Sequence, residues 1–118
     1  GLFQHLHERG HELINHQWTP REEFLVLCSQ MDIGLQCSFS ETFNIVGADL
    51  ISQGVPLVGS NEIPWSTKFG NAIPTDSESI SDILLRTYKN PNINVFLNQR
   101  NLKNYTNMTR KIWNKYFL

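Results

Sequence analysis

Apolar residues fall into short blocks whose spacing changes along the chain. Leu2, Phe3 and Leu6 recur at helical intervals, and Gly10 is placed to end that helix. Glu12 to His16 predicts a short strand. Thr19-Pro20-Arg21-Glu22 predicts a helix start, with Thr19 as N-cap, Pro20 at the first helical position and acids in the first turn. Phe24, Leu25, Leu27 and Cys28 give that helix its apolar face. Met31 to Cys37 predicts a buried strand. Ser38 or Ser40 is placed to cap a helix running to about Gln53, with Gly54 left-handed just past its end and a strand from Val55 to Gly59 beyond. Asn71 to Thr75 predicts a further extended piece. Ser77 or Ser79 is placed to cap a helix through Ile80, Ile83, Leu84, Leu85 and Tyr88, and Asn90-Pro91-Asn92 predicts a turn. From about Val95, the residues Leu102, Tyr105, Met108, Ile112 and Tyr116 step by three or four, forming one face of a long terminal helix.

Strands that alternate with helices need crossover connections and pair in parallel. The pattern therefore predicts an α/β fold: a Rossmann-like, three-layer arrangement with helices on both faces of a parallel sheet of three or four strands. A long C-terminal helix closes it, and the sheet is expected to be incomplete on its N-terminal side by one or two strands. At 118 residues the chain makes one domain at most.

Charge adds an asymmetry that the net value of −1 hides. Residues 1–82 hold all eleven acids and three of the ten bases, whereas residues 83–118 hold seven Lys and Arg and no acid. A basic helix packed on an acidic neighbouring domain is the preferred reading. Peripheral contact with a membrane through that helix is the alternative, and no nucleic-acid partner is expected. Cys28 and Cys37 match neither a disulfide framework nor a zinc pattern and read as buried thiols in a reducing, cytoplasmic setting. His7 and His11 lie four apart, but Gly10 interrupts their helix and no ligand completes a set, so no metal is expected. There is no Walker loop, nucleophile elbow or dinucleotide fingerprint. Trp18, Trp65 and Trp113 read as packing residues, with Trp65 also placed to border a cleft.

The segment from 31 to 59 carries the candidate chemistry. Ligands of open α/β sheets bind where a strand's carboxyl end turns into a helix. Here that turn offers Ser38, Ser40, Glu41, Thr42 and Asn44. A helix start presents N–H groups and a partial positive charge suited to phosphate. Asp49 follows on an otherwise apolar helix (Ile45, Val46, Ala48, Leu50, Ile51), where a carboxylate needs partners. Two readings fit equally: the acids hold ligand hydroxyls, or Glu41 serves the helix dipole and Asp49 pairs with Lys, Arg or backbone within the fold.

The stretch from Pro20-Arg-Glu-Glu-Phe24 through Met31-Asp-Ile-Gly-Leu35 and Ser38-Phe-Ser-Glu41-Thr-Phe43-Asn-Ile-Val-Gly-Ala-Asp49 to Gly54-Val-Pro56-Leu-Val-Gly-Ser60 resembles the C-terminal, donor-binding domain of GT-B glycosyltransferases, in particular the retaining family 4. The resemblance rests on two acids separated by seven residues, then Gly-x-Pro and an apolar strand, and it runs from about Thr19 to Ser60. It implies that residues 1–118 are the partial nucleotide-sugar-binding domain of an enzyme that transfers a hexosyl-type sugar with retention of configuration. Its partners would be a nucleotide-diphosphate sugar and an N-terminal acceptor-binding domain, with no cofactor and no metal. Glu41 would be the catalytic-site acid contacting the transferred sugar. Ser40, Thr42, Phe43 and Asn44 would line sugar and diphosphate, Ile45 and Val46 the nucleoside, and Asp49 the ribose, with Gln17 to Thr19 flanking the base. Asp49 stands where the family has Glu, and Thr42 where it has Gly. The basic pair that neutralises the diphosphate in that family has no counterpart here, so transfer by this chain alone is expected to be weak or undetectable. Two other functions suit the same fold: a non-catalytic binding or scaffold module, and a sugar-nucleotide epimerase.

Overall fold

The structure, a computed structural model, describes residues 1–117 apart from the side chains of residues 2 and 3. Its elements are α1 (Leu2–Glu8), α2 (Arg21–Ser29), β1 (Gly34–Gln36), α3 (Ile45–Ser52), β2 (Leu57–Gly59), a 3-10 turn at Lys68–Gly70, α4 (Ser77–Lys89) and α5 (Pro91–Phe117). β1 and β2 pair in parallel, Gly34 opposite Leu57 and Gln36 opposite Gly59, with α3 as the crossover between them. Asn71 adds one parallel bridge to Gly59. The chain is thus a small mixed α/β domain with a two-stranded parallel sheet and flanking helices, and the third and fourth strands of the expected sheet are absent among the described residues.

Local chemistry explains where elements stop. Gly10 and Gly54 both take positive φ, +81° and +77°. After α1, His11 N–H bonds to Leu6 C=O (2.9 Å) and Gly10 N–H to His7 C=O (3.0 Å). After α3, Val55 N–H bonds to Leu50 C=O (3.0 Å) and Gly54 N–H to Ile51 C=O (3.0 Å). This reciprocal pair of bonds satisfies carbonyls that the helix leaves open, and it needs a residue without a Cβ at the left-handed position. Val55 then lies beside Leu50, and both are buried.

Several sequence expectations are corrected. The helix with the candidate site begins at Ile45, not near Ser40, because Asn44 caps it: its Oδ1 accepts from Gly47 N–H (2.8 Å) at a φ of +62°. Asn tolerates that left-handed geometry where Ser does not. α2 starts after Pro20, and Thr19 gives no side-chain cap. Asp76, not Ser77 or Ser79, caps α4, accepting from the N–H groups of Glu78 and Ser79, while Ser79 Oγ accepts from Ile73 N–H. Pro91 opens α5 directly, so the expected turn shrinks to Asn90. Residues 12–16 form no strand: Leu13 and Ile14 are exposed and no neighbouring strand among the described residues supplies a ladder. The buried strand expected over 31–37 is shorter, Gly34–Gln36, and only Gly34, which faces Leu50 of α3, is buried in it. Trp65 is core, whereas Trp18 and Trp113 lie outside the core and are exposed. The packing of the Leu2 and Phe3 side chains lies outside the described residues.

The core gathers Cys28, Leu50, Ile51, Val55, Leu57, Ile63 and Trp65, with Phe24, Phe43, Leu102 and Tyr105 packed around it. What closes the sheet is a polar side chain. Asn94 on α5, fully buried, accepts from Leu57 N–H (2.8 Å) and donates to Leu57 C=O (2.9 Å). Its amide does for the outer edge of β2 what a third strand would do. One turn on, Asn98 donates to Asn94 Oδ1 (3.1 Å) and accepts from Thr67 N–H (2.8 Å). Gly70 packs so close to Asn94 and Leu57 that an added Cβ would collide with both.

Two predictions follow from this core. Asn94→Ala leaves a buried N–H and C=O unpaired and is expected to cost about 2–4 kcal/mol. The isosteric Asn94→Asp should cost at least as much, because a carboxylate would face the Leu57 carbonyl; urea titration monitored by circular dichroism checks both. Cys28 is buried, but Cys37, expected to be buried as well, lies just past β1 and is only half-buried; desolvation is the leading cause that pushes both thiols up, joined at Cys28 by the Asp49 charge and opposed there by Arg21. The folded chain therefore holds those protons more tightly than the unfolded chain. Stability should fall as pH rises through the free-thiol range, about 8.5–9, and Cys28→Ser and Cys37→Ser should flatten that slope.

Candidate functional site

The site is built from the loop 38–44, the first two turns of α3, and the segment that leads into α2. Asp49 sits on the α2-facing side of α3 and is 5% exposed. Arg21, the first residue of α2, meets it with both terminal guanidinium nitrogens, Nη1 to Oδ2 at 2.7 Å and Nη2 to Oδ1 at 2.8 Å. This is a bidentate fork, the strongest geometry for such a pair. The Asp49 carboxylate raises the Arg21 pKa, chiefly through these hydrogen bonds and then through its charge. The Arg21 side chain remains 62% exposed, so the pair is buried on the acid's side only. Within the fold, Asp49 thus has the Arg partner that one of the two sequence readings asked for.

Glu41 lies in a different polar cluster. Ser38 Oγ donates to its Oε2 (2.9 Å), Asn44 Nδ2 to the same oxygen (3.2 Å), and Thr42 N–H to Oε1 (3.3 Å). Asn44 also donates to Gln36 Oε1 at 3.3 Å, which ties the loop back to the end of β1. Ser60 Oγ bonds to Ser38 C=O (2.7 Å) and holds the loop to the end of β2. The loop's other side is anchored by Trp65, whose indole N–H donates to Phe43 C=O at 2.6 Å. Phe43 turns its ring away from the polar cluster, toward Trp65 and Tyr105 (centroids 6.2 and 5.8 Å). Ser40 and Thr42 are exposed.

One cleft, about 510 Å³ in volume, collects part of the predicted set. Its walls are Gln17, Trp18 and Thr19 on one side and Ile45, Val46 and Asp49 on the other, with Arg21 and Phe24 between. Ile45 and Val46 are the exposed apolar start of α3, at 62% and 42%, and Trp18 stands at the mouth, 88% exposed. Ser40, Glu41, Thr42, Phe43 and Asn44 do not line this cleft. Gly47 N–H, the third of the helix start, is already bonded to Asn44, which leaves Ile45 and Val46 as the first-turn amides nearest the cleft.

Sequence reasoning missed two participants, Arg21 and Gln36, and the capping role of a third, Asn44. Arg21 was legible in principle: Asp49 needs a base, and residues 1–67 hold only Arg9 and Arg21. Asn44 as the cap was legible from its place just before an apolar helix. Gln36 carried no signal, because its role depends on the register of β1 against the loop. Among the described residues no three His, Cys, Asp or Glu side chains come together as a metal site would need, and no helix is long and apolar enough to cross a membrane.

Arg21→Ala removes the fork and strands a buried carboxylate, so it should lower the urea midpoint. Arg21→Ala/Asp49→Asn should recover part of that loss, since an amide is less costly to bury unpaired than a charge. Equal loss in both variants would show that the pair contributes through packing alone.

No family model matches the chain, and neither a curated protein nor a solved structure does. The small parallel α/β architecture with flanking helices therefore carries the functional reading on its own geometry.

Proposed function

We propose that this chain is a ligand-binding α/β module, not catalytic by itself, whose cleft takes the nucleoside end of a nucleotide-diphosphate sugar; the donor-binding part of a retaining glycosyltransferase is the finer form of that reading. One observation carries the reading. Segments 17–19, 45–46 and 49, separated by some thirty residues of sequence, form the walls of a single cleft. An exposed Trp18 ring at its mouth and an aliphatic wall at Ile45 and Val46 suit a planar base. Asp49 keeps an acceptor lone pair on each oxygen beyond the Arg21 fork, enough for a ribose hydroxyl. The start of α3 offers amides and dipole to a diphosphate. Glu41, held by Ser38 and Asn44, stands just before that helix start as the acid for the transferred sugar.

A second reading, a module of the same fold that scaffolds rather than binds a donor, is favoured by one specific observation. Asp49 already has a full bidentate partner, so its burial needs no ligand to explain it.

Titration of the chain with uridine- and guanosine-diphosphate hexoses, read by Trp fluorescence and calorimetry, separates the two. Saturable binding is expected, weakened roughly tenfold or more by Trp18→Ala, in line with an aromatic stack worth about 1–3 kcal/mol, and by Val46→Glu, with Phe96→Ala as a control remote from the cleft. Absence of binding by a folded chain would leave the scaffold reading.

A further inference from the structure

The C-terminal half of α5 leaves the body of the domain. Residues 106–117 are exposed on every side, a rod of about 18 Å at the usual helical rise. The chain accordingly measures 57 × 32 × 26 Å, with a radius of gyration of 15.8 Å against about 13–14 Å for a compact domain of this length. The rod is not a featureless polar extension. Asn94, Asn98, Leu102 and Tyr105 face the body, and at the same three-and-four spacing the stripe continues as Met108, Ile112, Trp113 and Tyr116, each at least half exposed. Trp113 and Phe117 stack at 4.5 Å between centroids. Arg110, Lys111 and Lys115 occupy the remaining faces, and no acid follows Asp82 in the chain.

Such a stripe needs a cover, and the body limits what the cover can be. The apolar side of the free rod points to the same side as the half that the body already covers. The body therefore projects beside the rod, where Phe43 shares one concavity with Thr106, Thr109, Arg110 and Trp113. A notch of this shape fits a protein surface better than a bilayer. Its apolar floor should be matched by apolar residues and its basic rim by acids.

This chain itself carries a surface of that chemistry. The outer side of α2 and the turn after it expose Val26 (58%) and Met31 (41%). They are interspersed with exposed Glu22, Glu23 and Asp32. Between them, residues 1–82 and 83–118 split the charge almost completely, eleven acids with three bases against seven bases with none.

We propose that the free end of α5 docks on the acidic outer face of α2 in a second copy of this chain, and that the exchange is reciprocal, giving a two-fold dimer. Each copy then contributes one basic rod and one acidic face, so the interface closes and no further copy adds. Trp113, Ile112 and Tyr116 lie against Val26 and Met31 of the other copy, with Lys111 and Lys115 meeting Glu22 and Glu23.

Sedimentation equilibrium of the full 118-residue chain tests this. A reversible dimer is expected, with a dissociation constant that rises at least about tenfold between roughly 50 and 500 mM salt. Lys111→Glu/Lys115→Glu and Glu22→Lys/Glu23→Lys change only exposed positions, so each should stay folded by circular dichroism yet become monomeric. Mixed together, the two variants should form a heterodimer, because every contact is again between opposite charges. A chain that stays monomeric at all concentrations overturns the proposal, as does an association that neither pair of substitutions weakens. Phosphatidylcholine vesicles with about one-third phosphatidylserine supply the remaining arm. Binding by a monomer that Lys111→Glu/Lys115→Glu abolishes would assign the rod to an anionic bilayer instead.

Discussion

A parallel pair of strands has two open edges, and in this chain the amide of Asn94 closes one of them at Leu57, while the Ala72 N–H meets it at Gly59. Leu57 sits in the middle of the fold, with its backbone N–H and C=O turned away from β1, in a place that water does not reach. Left unpaired, these groups would oppose the burial of β2, which the apolar core requires. The Asn94 side chain meets both, and Asn98 completes the set by holding Asn94 and the Thr67 amide. The consequences run outward from that point. α5 is fixed against β2, Leu102 and Tyr105 are brought onto the core, and the 60–70 loop is held where Trp65 can reach Phe43. The loop that carries Glu41 is thus positioned at third hand by an asparagine on the last helix.

The candidate site shows two ways of keeping a carboxylate near an apolar helix. Glu41 stays half-exposed and collects neutral donors, so its position is set by the loop's own geometry. Asp49 is buried and meets a guanidinium that itself remains in water. The second arrangement lowers the desolvation penalty on one side of the pair, because Arg21 keeps much of its hydration. It also fixes α2 against α3 and so sets the width of the cleft between residues 17–19 and the start of α3. A ligand entering there would find Asp49 oriented, not free to rotate, which suits either a preorganised acceptor or a purely structural clasp.

The overhanging half of α5 belongs to the same logic of unmatched surfaces. A helix remains ordered beyond its body when its first half is anchored, since the costly nucleation step has already occurred. Its apolar stripe is then a surface whose partner lies outside this fold's own core.

Much of the fold was legible along the chain. The two left-handed glycines after α1 and α3, the parallel crossover, the presence of strands within 31–37 and 55–59, and a terminal helix through Tyr116 all follow from local spacing and from conformations that only certain residues adopt, whereas the trimmed strand ends and the start of α5 at Pro91 do not. The identity of the helix caps was less legible, because Ser, Asp and Asn compete within a few residues and the winner depends on which backbone angle the loop imposes. The content of the sheet, the pairing of Asp49 with Arg21 and the role of Asn94 were decided only by tertiary structure. Each joins residues from 23 to 37 positions apart, and a sequence states which groups need a partner without stating which of the available partners the packed chain will bring within 3 Å.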